Sequence, residues 1–359
     1  MKKISTIQFC SIAYFLMLAN NMGLTTYIMF HYAKQDSIIS IIIGSILGLI
    51  PLFIYLKILD KKPELNIFEK IDYLFPKLGK IINLILTIAI TYFIAINYNN
   101  LIKFISSQYL SETPSIVIAL SFLPAVIYIL TKGTTVIGRT IFILLIISIV
   151  LVFLTIAGLI WQIKIENLLP ILENGIKDPL ICSLIYVTFN ISPLFLLTTI
   201  AKNDIIDKDK LNKRMIITYV ITNMVTIIIF FLTLTVLGKN LTMLYQYPEY
   251  DVLKKVSLIG FIERTESTIS LRWTFYVFTV TVIGIQFICE YIKHAFKIIN
   301  KKTNNKIIIL ISLIITIWGN FIFQSNTNFE LFIYNKLPYM SAIALILIPA
   351  IIALKKVKN

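Results

Sequence analysis

Ten stretches of this chain are apolar enough, and long enough at 1.5 Å per residue, to cross about 30 Å of hydrocarbon. They fall near residues 7–30, 37–57, 81–102, 115–131, 137–161, 179–201, 215–237, 273–292, 307–324 and 337–354. Lipid offers no partner to backbone N–H and C=O groups, so segments of this length must cross as helices. Composition agrees, because 58% of the residues are hydrophobic and 14% are charged, where a soluble domain carries about 25% charge. The sequence therefore predicts an all-α polytopic membrane protein, a single membrane domain over residues 1–359. Met1-Lys2-Lys3 leads straight into the first segment without a small-residue cleavage site, so no cleaved leader is expected.

The connections alternate in charge. Of the 33 Lys and Arg, 23 flank the N-terminus, the even-numbered loops and the C-terminus, and 10 lie in the odd-numbered loops. The strongest markers are Lys57/Lys61/Lys62, Lys208/Lys210/Lys213/Arg214 and Lys293/Lys297/Lys301/Lys302. Positive charge stays inside, which predicts a multi-pass protein with both termini cytoplasmic.

Two of the ten segments are interrupted. Asn20-Asn21-Met22-Gly23 breaks the first, and Asn190-Ile191-Ser192-Pro193 breaks the sixth, at matching depth. Each break opens a set of five segments, and an odd number per set forces the second set to enter the membrane the other way up. The predicted architecture is ten transmembrane helices in a five-plus-five inverted repeat with broken helices 1 and 6. The first repeat covers about 1–163 and the second about 176–359. Matched breaks of this kind point to a transporter-type binding site. Packing asparagines and a simple proline kink are the plainer reading of either break alone.

Broken helices supply chemistry without side-chain charge. The half-helix beginning Gly23-Leu24-Thr25 can aim N–H groups and its positive dipole end at a carboxylate. Carbonyls around Phe189-Asn190-Ile191, next to Ser192, can accept an ammonium group. Asn97/Tyr98, Thr222/Asn223 and Gln286 are further candidates to line the pocket, each weighed against an ordinary interhelical hydrogen bond. No Asp, Glu, Lys, Arg or His stands within a segment interior. That argues against a proton-driven pump, which keeps an ionisable relay in the membrane. Sodium coupling through carbonyls and hydroxyls stays open.

Other functions are poorly supported. The net charge of +15 is carried mostly at segment ends, where anionic lipid headgroups explain it and nucleic acid is not needed. Cys10, Cys182 and Cys289 form no disulfide framework or ligand pair. His31 and His294 sit at segment edges, and no phosphate-cradling glycine loop occurs. No enzyme, metal or cofactor is expected.

The longest connection, 239–272, carries Tyr247-Pro248, then Asp251 to Val256, then Phe261-Ile262-Glu263-Arg264-Thr265-Glu266 ahead of Trp273. Val252, Leu253, Val256 and Ile259 recur at roughly helical spacing, with Asp251 and Lys255 as an i,i+4 pair, so a short amphipathic helix is predicted, lying on the outer surface or over the mouth of a vestibule. Glu263, Arg264 and Glu266 are candidates for a gate or partner-docking surface.

This loop pattern, with the opening Ile4-Ser5-Thr6-Ile7-Gln8 and the ten-segment plan, resembles the spore germination permease family. Its members are the integral B subunits of endospore germinant receptors. The resemblance implies an amino acid–polyamine–cation permease fold and residence in the spore inner membrane. It also implies assembly with receptor A and C subunits and recognition of a small nutrient germinant, commonly an amino acid. Two positions depart from the pattern: Glu266 stands where the family acid is usually Asp, and Thr25-Thr26-Tyr27-Ile28-Met29 lacks a frequent proline. Two functional classes follow. One is a sensor whose partners read a shift between two packings; the other is a carrier or conduit for an amino acid, water or an ion.

Overall fold

A computed structural model describes residues 3–254, 266–323, 331–333 and 335–356. Among them, ten helices are long and apolar enough to cross a membrane. They are spans 1 (Thr6–Tyr32), 2 (Lys34–Asp60), 3 (Gly79–Gln108), 4 (Ser115–Lys132) and 5 (Thr134–Gln162), followed by 6 (Lys177–Thr199), 7 (Lys208–Leu237), 8 (Glu266–Phe296), 9 (Lys301–Phe321) and 10 (Leu337–Leu354). Each overlaps a segment read from the sequence. The eighth begins seven residues early because Glu266 to Arg272 are already helical.

The packing carries the inverted repeat. Span 1 packs on span 7 and span 6 on span 2; span 9 packs on span 3 and span 4 on span 8. Span 5 lies against span 1 and span 10 against span 6, while spans 3 and 8 pack on each other. Exchanging each span for its counterpart five places along leaves this pattern unchanged. The broken spans are the centre of the bundle: 83% of the most apolar window is buried in each of spans 1 and 6, against 28% in spans 4 and 5. The bare apolar faces of spans 4 and 5, with Tyr128, Ile143 and Phe153 exposed, would be a liability in water and are ordinary against lipid.

Short elements fasten one end of the bundle. Ile4–Ser5 (β1) pairs in parallel with Ile205–Ile206 (β2), tying the start of span 1 to the chain beyond span 6. Ser5 then caps span 1 in a reciprocal box with Gln8, the Gln8 N–H donating to Ser5 Oγ at 3.2 Å and the Ser5 N–H to Gln8 Oε1 at 3.0 Å. Helix α1 (Ile67–Leu74) lies between spans 2 and 3 and starts with a second such box, Asn66 with Glu69. Lys70 on α1 is 1% exposed. Its ammonium donates to the carbonyls of Ile58 (2.9 Å) and Leu59 (3.3 Å) at the end of span 2. A cation on the carbonyl end of a helix is electrostatically favourable.

At the opposite end stands helix α2 (Pro248–Lys254). It carries part of the predicted amphipathic stretch, but it does not lie flat on a surface. Tyr247, Val252 and Leu253 are buried. The Phe104 ring of span 3 meets Tyr247, Tyr250 and Trp273 edge-on at 4.9, 5.0 and 5.1 Å. Asp251 pairs with Lys254 at 3.0 Å; the predicted partner Lys255 lies outside the described residues, as do Val256 and Ile259.

Candidate functional site

The first break is a turn that only glycine closes easily. Met22 (φ −73°, ψ 127°) and Gly23 (φ 74°, ψ −7°) adopt the two central conformations of a type II turn, which needs positive φ at its third residue. The helix resumes when the Thr25 N–H reaches back to the Asn20 carbonyl at 2.9 Å. Gly23 is needed for a second reason. A Cβ there would lie 2.6 Å from Tyr247 Cε1 and 2.9 Å from Asn100 Oδ1.

The second break differs from expectation. Residues Val187–Ile191 form one wide turn and Ser192–Thr199 a tight 3-10 helix, with helical dihedrals at Ile191 and Ser192. The chain is rewound there, not unwound. Pro193 explains this, since a proline in the first turn of a helix loses no bond it would have made. Ser192 spends its hydroxyl on the Thr188 carbonyl.

The two breaks are bound to each other. Asn20 Nδ2 donates to the Phe189 carbonyl at 2.6 Å, and Asn190 Nδ2 donates to the Met17 carbonyl at 2.9 Å. Asn190 also donates to Asn21 Oδ1 and accepts from Thr25 Oγ1 at 2.8 Å. Asn21 reaches on to Thr226 Oγ1 of span 7 at 3.4 Å. Asn20, Thr25, Phe189, Asn190 and Ile191 are all buried, and Leu24 packs with Phe189 in a small apolar cluster beside them. Of the groups expected to face a ligand, the Phe189 carbonyl is taken by the Asn20 amide and the Thr25 N–H by the Asn20 carbonyl in this conformation.

The remaining predicted residues divide. Asn223 belongs to the neighbouring network, its Oδ1 accepting from Tyr186 and Ser45, both at 2.7 Å. Tyr98 turns away, donating to the Ala119 carbonyl of span 4 at 2.6 Å and packing on Gly319 of span 9. Gln286 binds Thr134 Oγ1 at 3.0 Å, roughly 20 Å down span 8 from Trp273 at 1.5 Å per residue. Neither Tyr98 nor Gln286 reaches the breaks. Glu266 sits in the first turn of span 8, where an acid complements the helix dipole. Glu263 and Arg264 lie outside the described residues.

Five residues join the site that the sequence did not single out for it. Asn100 Nδ2 donates to the Met22 carbonyl at 3.0 Å, and Trp273 Nε1 donates to the Ala19 carbonyl at 2.9 Å, so both satisfy backbone freed by the first break. Thr226 receives Asn21, as above. Glu249 on α2 and Arg272 on span 8 bring charge, and with Asn21, Met22 and Trp273 they line a cavity of about 40 Å³. Charge absent from the segment interiors as read therefore reaches the break from α2, through Glu249, and from the extended start of span 8, through Arg272. Burial pushes the Glu249 carboxyl up to about 8, against the opposing pull of its own backbone N–H, Thr26 and Arg272. Among the described residues no group of three His, Cys, Asp or Glu converges.

With this geometry in hand, the chain's similarities to known proteins take on meaning. Residues 3–329 match the profile of a family described as "Spore germination protein". The chain is 25% identical over 331 residues to YfkT of Bacillus subtilis (strain 168), provisionally named a spore germination protein, covering 91% of this chain and 88% of that one. In fold it is similar to MhsT crystallised with L-phenylalanine, at TM-score 0.67 and 15% identity over 98% of this chain and 89% of that one. It is similar as well to a manganese transporter of Eremococcus coleocola bound to an aromatic bis-isothiourea compound, at TM-score 0.64 and 15% identity over 99% and 81%. At such identities the likeness concerns the fold, a transporter bundle wound around broken first and sixth helices.

Proposed function

This chain belongs to the spore germination permease family, and we propose that it is the membrane-embedded subunit of a nutrient germinant receptor. In this reading a small nutrient, an amino acid by family resemblance, binds beside the two breaks. Receptor A and C subunits in the spore inner membrane read the resulting change. Both termini face the cytoplasm, as the placement of Lys and Arg argues, and α2 then faces outward. Glu263, Arg264 and Glu266 are the proposed gate or docking surface for a partner.

The observation that carries the reading is the reciprocal bonding of Asn20 with Phe189 and Asn190 with Met17. A ligand that uses the polar groups of the breaks must first displace these bonds, so binding and a change of packing are one event. That is the requirement for a sensor: differential affinity for two states. The carrier reading is favoured by the transporter fold, which in MhsT holds L-phenylalanine.

One experiment separates them. Purified wild-type chain in proteoliposomes, without partner subunits, is offered radiolabelled amino acids at equal pH and ionic strength. A receptor subunit binds without accumulating the label, and spores carrying Asn190→Ala lose their response to the bound nutrient. Time-dependent accumulation above binding stoichiometry overturns the sensor reading in favour of the carrier.

A further inference from the structure

Glu249 and Arg272 are both 3% exposed and line the same cavity beside Met22. Neither takes part in the bonding between the breaks. By distance and angle neither Glu249 oxygen is paired by a hydrogen bond, although its own backbone N–H and Thr26 lie near enough to favour its ionised form, and Arg272 Nε has no partner. Among the described residues neither side chain enters an ion pair. The neighbouring Thr26 hydroxyl donates its hydrogen to the Asn21 carbonyl at 2.9 Å. An ionised group buried without a partner is strongly unfavourable. Arg272 and a Glu249 carboxyl that ionises only near 8 line one cavity without an ion pair between them, so among the described residues the guanidinium charge there lacks a counter-ion. The cavity has room for about three waters, which can solvate the pair at rest.

We infer that Glu249 and Arg272 form a zwitterion site, Glu249 receiving the ammonium group and Arg272 the carboxylate of a small α-amino acid. The inference rests on the receptor reading and deepens it. It assigns the two ligand charges to side chains of α2 and span 8, and not to the helix ends of spans 1 and 6. The guanidinium suits the task because its planar fork matches a carboxylate in two parallel hydrogen bonds. Trp273 anchors that side of the site through its bond to Ala19. Because the cavity has room only for waters in this conformation, an amino acid displaces α2, which carries Glu249. The ligand therefore acts directly on the loop that faces a partner.

The site has a pH signature. With the carboxyl at about 8, the unliganded site is mostly protonated at neutral pH, and an arriving ammonium favours the ionised form. Binding then releases the proton, so affinity rises about tenfold per pH unit below about 8 and levels above it. The charged and titratable groups facing Glu249 are Arg272 from span 8, Asp251 on its own helix and the adjoining Tyr247. Arg272 favours the ionised form and Asp251 opposes it.

The test uses the full-length chain in detergent micelles. Thermal unfolding is followed with each free L-α-amino acid at pH 6, 7 and 8, and every ligand found is repeated as its N-acetyl and carboxamide derivative. Removing either ligand charge should weaken binding more than tenfold, because the facing protein charge is then left buried and unpaired. Glu249→Gln should weaken binding at pH 8 and abolish the pH slope, and Arg272→Gln should weaken it more than Arg272→Lys. If either derivative binds as well as the free amino acid, the inference falls on the wild-type chain alone. If Glu249→Gln keeps wild-type affinity and slope while Asn190→Ala loses binding, the ligand sits between the breaks. The inference then falls and the receptor reading stands. If no amino acid shifts the wild-type chain, both fall.

Discussion

Gly23→Ala should damage the site by two separable effects. The first is backbone strain. An L-residue in the left-handed region at φ 74° costs about 1–2 kcal/mol. The second is crowding. The new Cβ would lie 2.6 Å from Tyr247 Cε1 and 2.9 Å from Asn100 Oδ1. The Tyr247 ring cannot simply retreat, because Phe104 meets it edge-on at 4.9 Å. Overpacking of this kind typically costs about 1–3 kcal/mol. The sum, about 2–5 kcal/mol, should lower the unfolding midpoint of the purified chain by roughly 3–7 °C and abolish the nutrient response. The chain contains its own control: Gly175 has φ 81°, and a Cβ there would meet nothing within 4 Å, so Gly175→Ala bears the strain alone. The coupling to Tyr247 is measured by a double-mutant cycle, in which Tyr247→Ala should reduce the cost of Gly23→Ala to the strain and the remaining approach to Asn100 Oδ1. If the two substitutions are additive, or if Gly23→Ala costs no more than Gly175→Ala, the close approach of Tyr247 to the break is refuted.

Three further outcomes are expected. Asn190→Ala removes two donated bonds and one accepted bond, leaving buried groups unsatisfied at about 1–3 kcal/mol each; a wild-type melting midpoint in detergent would contradict the bonding described between the breaks. Burial lowers Lys70 from 10.5 to about 8, against the pull of Glu64 and Asp60. Its folded value lies below its unfolded one, so the fold is penalised below about 8 and gains stability as pH rises from there towards 10.5. Melting curves at pH 7–10 should show that gain in wild type and its loss in Lys70→Met, and parallel profiles would reject it. Cysteines placed at Lys61 and Lys301 should be shielded from an impermeant thiol reagent in intact cells while one at Lys254 reacts, and the reverse pattern would invert the proposed topology.

How much was legible in the sequence depended on whether the signal was local. The spans were, because length and apolarity suffice to define them. So were both interruptions, announced by Asn-Asn-Met-Gly and Asn-Ile-Ser-Pro at mid-run. What the second interruption would become was not. Pro193 breaks a helix from within but starts one from its first turn, and only packing decides which. Span 3 hid its working face for another reason. Asn97, Tyr98, Asn99 and Asn100 cover more than a full turn at 3.6 residues per turn, so no stripe marks the side on which Asn100 meets Met22. Glu249 was harder still. An acid just after Pro248 reads as an ordinary first-turn residue complementing a helix dipole, and its burial beside Arg272 is a product of tertiary structure alone.

The mutual hold of Asn20 and Asn190 also sets how often such a protein would speak without being spoken to. Four side-chain bonds join spans 1 and 6, and at about 1 kcal/mol net each they amount to about 4 kcal/mol. Thermal motion alone would then part them in roughly one molecule per thousand at any instant. On the receptor reading this is a false-alarm rate. A dormant cell can ignore isolated misfirings if its response requires many copies to open together, and a variant lacking the Asn20 amide, and with it one of the four bonds, would raise the background about fivefold. Spontaneous germination in nutrient-free buffer is where that background would be heard.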